Sequence, residues 1–127
     1  MKYIISETQH RRLQEYFDYD EENNVMGNPS ESTLMVADFL LRYNIVNPSS
    51  MLIFDDEIQI FRFEGQDFQY FGENYVALHV SSNRGNIDID VEFPRYEGEE
   101  LEGIDEVIDY LTSLSERYSI FNWNLES

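Results

Sequence analysis

The chain has no cysteine, and its 127 residues hold only 8 basic side chains against 26 acidic ones. Without a thiol there is no disulfide, no thiolate nucleophile and no cysteine-based zinc or iron–sulfur centre, and such a composition suits a reducing compartment. Cations are scarce enough that the formal charge at pH 7 is −18. A chain so charged repels nucleic acid and anionic membranes and attracts a basic protein surface. The expected partner is therefore a basic protein, with no direct nucleic acid and no membrane. No apolar stretch approaches the roughly 18 residues of a membrane span, and the opening Met1 to Glu7 has too short an apolar run for a signal peptide, so a cytoplasmic location is expected.

Catalytic signatures are also missing. The only histidines are His10, on a polar helical stretch beside Arg11 and Arg12, and His79, in a strand where a satisfied structural histidine is the better reading. Neither has metal-ligand spacing, no Gly-x-Ser-x-Gly elbow surrounds a serine, and no glycine-rich phosphate loop follows a strand. A non-enzymatic role without a cofactor is expected.

What is present is foldable. Hydrophobic residues make up 42%, and a chain of this length buries roughly two-thirds of its unfolded surface as one domain, taken here as residues 1–127. The pattern predicts an α+β fold, an antiparallel meander of four to five strands packed with two N-terminal helices and one C-terminal helix. Tyr3 to Ile5 reads as a short strand, and a first helix runs from Glu7 to about Tyr19 behind a Ser6/Gln9 capping box. A second starts near Ser30 and stops near Asn44. Short β-branched or aromatic runs follow at Met51 to Phe54, Ile58 to Phe63, Phe68 to Phe71, Tyr75 to Val80 and Ile87 to Phe93, separated by hairpin-length turns. A parallel arrangement would need helical crossovers, which this reading does not supply. After Pro94, the apolar stripe Ile104, Val107, Ile108, Leu111, Leu114 and Tyr118 predicts a helix that packs on the sheet. The apolar tail Ile120 to Leu125 is expected either as an edge strand or lying against the helices.

One run stands apart. Ile87 to Phe93 alternates without fault, with Asp88, Asp90 and Glu92 on one sheet face, successive carboxylates about 6.6–6.8 Å apart. Glu97, Glu99, Glu100, Glu102, Asp105, Glu106 and Asp109 follow, with Arg95 the one base in the stretch. Like charges this close oppose folding and exceed what solubility needs. Two readings remain: a solvated face with acids favoured at a helix N-terminus, or an acidic strip presented to a basic groove. A second acidic group comprises Glu15, Asp18, Asp20, Glu21 and Glu22, and a third is the turn Asp55, Asp56 and Glu57. Among the tyrosines, Tyr16, Tyr19, Tyr70, Tyr96 and Tyr110 are candidates for flat interface contacts or for ordinary packing.

The opening Tyr3 to Gln9 resembles the start of some small phage-encoded proteins. The general character of the chain, small, cysteine-free, very acidic and α+β, is similar to that of phage inhibitors that mimic DNA, of the anti-CRISPR and anti-restriction types. Immunity proteins that neutralise basic nuclease toxins share it. The resemblance carries no motif onto residues here; it implies an inhibitor of a nuclease or other nucleic-acid-binding protein, in the host-cell cytoplasm if the chain is phage-encoded. The leading expectation is thus an inhibitor binding through Asp88, Asp90, Glu92, Tyr96 and the acids to Asp109. An immunity protein is the alternative. A small metal-dependent module using Asp88, Asp90 and Glu92 on a hard cation is a third.

Overall fold

Ser30 stands where the chain turns into a helix: its Oγ accepts the amide of Thr33 at 3.1 Å, satisfying one of the first-turn donors. The computed structural model describes residues 25–68, 70, 74–94 and 103–125, and in it helix α1 runs Glu31–Arg42. Asn44, at φ 55°, ends it in the left-handed region that asparagine tolerates. A short 3-10 turn, Pro48–Ser50, delivers the chain into strand β1, Met51–Ile53. Strands β2 (Glu57–Ile60), β3 (Val76–Asn83) and β4 (Asn86–Glu92) follow, each antiparallel to its predecessor. The β3–β4 connection is a two-residue turn, Arg84 and Gly85, both with positive φ (53° and 84°). That is the mirror-image turn whose twist matches paired strands.

The antiparallel expectation then fails. Helix α2, Ile104–Arg117, carries the chain back, and β5, Asn122–Asn124, joins β4 in parallel. The sheet is mixed, in the order β1-β2-β3-β4-β5. The overlooked crossover is α2 itself: a helix long enough to return the chain to the same end of the sheet makes a parallel partner possible. The three-helix expectation is corrected as well, to two α-helices among the described residues. The expected Tyr3 to Ile5 strand and Glu7 to Tyr19 helix lie outside them.

The expected strand Phe68 to Phe71 is a second correction. Its described residues, Phe68 and Tyr70, are not in a strand. Their rings serve as wedges: Phe68 lies against Phe63 and Tyr110 with centroids 6.2 and 5.7 Å apart. Tyr70, 1% exposed, meets the edge of Phe93 at 5.3 Å. Its hydroxyl donates to the Tyr75 carbonyl at 2.8 Å and lies 3.1 Å from that of Pro94. Burial, followed by the neighbouring Tyr75 and Glu92, pushes this phenol up to about 12.

One face of the sheet is the core. Ile58, Leu78 and Ile89, one from each of three neighbouring strands, are all fully buried, and Val107, Leu111 and Leu114 of α2 join the same cluster with Val36, Phe39 and Leu40 of α1. Each such side chain contributes about 1.5–3 kcal/mol by leaving water. At the β1 edge the segment Val25 to Ser30 is fastened by Asp55. Its carbonyl accepts the Ser30 amide at 2.9 Å and the Thr33 hydroxyl at 2.9 Å, while its carboxylate accepts the Asn28 amide at 2.7 Å. Gly27 lets this carboxylate approach, since a Cβ there would collide with Oδ1 of Asp55.

Candidate acidic interface

The alternation of β4 becomes geometry. Ile87, Ile89 and Val91 enter the core. Asp88, Asp90 and Glu92 therefore stand on the opposite face, which neither described helix covers, because α1 and α2 contribute their apolar stripes to the core side. Asp90 and Glu92 are exposed and Asp88 is half-buried.

Each carboxylate of the row has a donor from a flanking strand. On the β5 side, Asp88 lies opposite Asn122 and Asp90 opposite Asn124, and the two amide side chains donate to the two carboxylates at 2.9 and 2.7 Å. On the β3 side, His79 reaches diagonally to Glu92, Nε2 to Oε2 at 2.6 Å, while its Nδ1 lies 3.3 Å from Oε1 of Glu57 on β2. Glu57 also accepts from Gln59 at 2.7 Å. Four carboxylates on two strands, β4 and β2, are thus held by one imidazole and three amides. The donors fix where the oxygens stand, and two of the three amides and the imidazole belong to other strands.

The remaining acids divide. Asp105, Glu106 and Asp109 are exposed on the first turns of α2, where Gly103 caps the helix with no side-chain hydrogen bond and the dipole favours negative charge. Since α2 packs on the core face, these acids look out from the helical layer, away from the row on β4. The strip that is continuous from Asp88 to Asp109 in sequence is therefore not brought together as one surface at its described ends. Tyr96, Glu97, Glu99, Glu100 and Glu102 lie outside the described residues, as do Glu15, Asp18, Asp20, Glu21, Glu22, Tyr16 and Tyr19.

Of the tyrosines offered as interface contacts, Tyr70 is a core residue. Tyr110 is half-buried against Phe63 and Phe68, with its hydroxyl pushed up by burial and then by Tyr118. The aromatic surface lies elsewhere. Phe61, 39% exposed, pairs with Tyr75 at 5.6 Å just beyond the last rungs of β2 and β3. No local spacing marks this pair, because what joins the two rings is the cross-strand register of Ile60 with Val76. Among the described residues no group of three or more histidine, cysteine, aspartate or glutamate side chains is arranged to hold a metal ion, and no helix is long and apolar enough to cross a membrane. No family model, curated protein or solved structure matches the chain.

Proposed function

We propose that the protein is a non-enzymatic inhibitor that sets the acidic face of β4 into the basic nucleic-acid-binding surface of a target protein, in the manner of a nucleic-acid mimic. The observation that carries this reading is the row Asp88, Asp90 and Glu92, regularly spaced on a strand paired on both sides, with its carboxylates held in place by Asn122, Asn124 and His79. A rigid row of anions presents its charge without the entropy loss that long mobile side chains suffer on docking. Charge of one sign over the surface speeds and steers encounter with a cationic partner.

The test begins with the basic protein recovered by affinity capture from the native host, assayed for its grip on a fluorescent DNA duplex. The triple variant Asp88→Asn, Asp90→Asn, Glu92→Gln should displace the duplex at least about tenfold less well, the sum of three modest charge contacts. The matched triple Asp105→Asn, Glu106→Gln, Asp109→Asn on α2 should compete almost as the parent does. Equal effects from both triples would show that net charge alone matters, and an unaffected β4 triple would remove the face from consideration. A target that is neutralised without any loss of DNA binding would favour the immunity-protein reading.

A further inference from the structure

Five large apolar side chains are notably exposed on the described surface, and three of them, Met35, Tyr43 and Ile120, at 39%, 45% and 64%, border a single groove of about 410 Å³. It lies between α1, the β3–β4 turn and the segment that follows α2, with the largely buried Phe39, Ile87 and Phe121 as its apolar walls. Apolar residues scattered singly over a surface need no explanation, but several gathered on one concavity mark a place where something binds. The volume falls in the range of small-molecule sites, roughly 300–1,000 Å³.

The lining of this groove carries one charge of each sign, Asp38 and Arg42, in a molecule whose formal charge is −18. Arg42 lines it with a side chain 45% exposed. One of its N–H groups donates to Oδ2 of Asp38 at 2.8 Å, and a guanidinium carries five donors. Asp38, at 8% exposure, shows little of its own charge to an occupant. Arg84 immediately precedes Gly85 on the rim, and Arg117 lies over the ring of Tyr118 at 5.6 Å, which packs on the groove residue Tyr43 at 4.6 Å. Of these arginines only Arg42 is among the lining residues, in a chain with 8 basic residues against 26 acids. Three of the last four carbonyls of α1, which would oppose an anion, are occupied: the amides of Tyr43, Asn44 and Ile45 donate to Phe39, Leu41 and Leu40.

We infer that this groove binds a small amphipathic carboxylate, its alkyl or aromatic body against Phe39, Ile87 and Phe121 and its acid group on Arg42. The site is separate from the β4 face and does not depend on the function proposed for it. The molecule supplies a reporter, because its only tryptophan, Trp123, lies 6.5 Å from the rings of both Phe39 and Phe121.

The experiment titrates the full chain with octanoate, 1-octanol and octylammonium, following Trp123 emission at about 0.15 M salt, where distant charges are screened. Octanoate should give a saturable change and bind at least about threefold tighter than octanol, the margin of one partly exposed charge contact. Octylammonium should bind weakest, against the sign of the whole molecule. Arg42→Gln should bring octanoate down to the affinity of octanol while leaving octanol unchanged, so that octanol reports an intact groove. Ile120→Ser, an exposed change, should weaken both by about threefold. The inference is overturned by octylammonium binding as tightly as octanoate, by the absence of saturation, or by an octanoate preference that survives Arg42→Gln.

Discussion

The two faces of β4 use the same seven residues for opposite purposes. Toward the helices, Ile87, Ile89 and Val91 are specified by shape and by exclusion of water. Toward solvent, Asp88, Asp90 and Glu92 are specified by the donors that meet them, and those donors come from three sources: an imidazole on β3 and two amides on β5. The difference shows how a crowded acidic surface is made compatible with a fold. Apolar burial on one side supplies the free energy, and the hydrogen-bond donors on the other fix the carboxylates in place while the row stays acidic toward a partner.

Adjacent substitutions sharpen the contrast. Ile89→Ala, at a position with 0% exposure, should lower stability by about 2–5 kcal/mol in urea unfolding, through lost transfer energy and the cavity left behind. Asp90→Asn, one residue on, should change it by no more than about 0.5 kcal/mol. Equal costs would break the division of labour between the faces. Tyr70 tests the point where the two meet, since its phenol is buried yet feels Glu92. A tyrosine raised from 10.0 to about 12 keeps its neutral form in the folded state, so that stability is fully present below pH 10 and lost as the pH rises through about 12. The loss should be on the order of 2 kcal/mol and should disappear from the pH profile of Tyr70→Phe. A smaller loss is expected of the double variant Asn122→Ala, Asn124→Ala, about 1 kcal/mol from removing two exposed hydrogen bonds. An increase in stability would mean that these amides hold the carboxylates at a net expense.

Much of this was legible before any coordinates. The faultless alternation of β4 gives its faces, the stripe from Ile104 to Tyr118 gives α2, and Arg84 with Gly85 sits where a hairpin turn belongs. What escaped was whatever depends on register or on the path of the chain between elements. Asn122 and Asn124 carry no strand propensity, and three residues are too few for a period, so the parallel pairing of β5 is set by its fit against β4 and by the apolar anchors Phe121 and Trp123. Phe68 to Phe71 has the composition of a strand, but Phe68 and Tyr70 fill gaps in a core, a choice made by tertiary packing. The join between His79, Glu57 and Glu92 spans three strands, and no local spacing encodes it. The acids from Asp88 to Asp109 form one strip in sequence, which has only one dimension; their described ends stand on β4 and on α2, in different layers.

The parallel attachment of β5 also carries a kinetic consequence. The β3–β4 hairpin closes over two turn residues, whereas Asn122 meets Asp88 only after 34 residues have been drawn together, and each doubling of a closing loop adds about 0.6 kcal/mol of entropy cost. The hairpin should nucleate early and the final rung zip late. Conversely, in native hydrogen exchange the amides shared by β4 and β5 should open well before those shared by β3 and β4, so that the molecule sheds its last strand while the rest of the sheet endures.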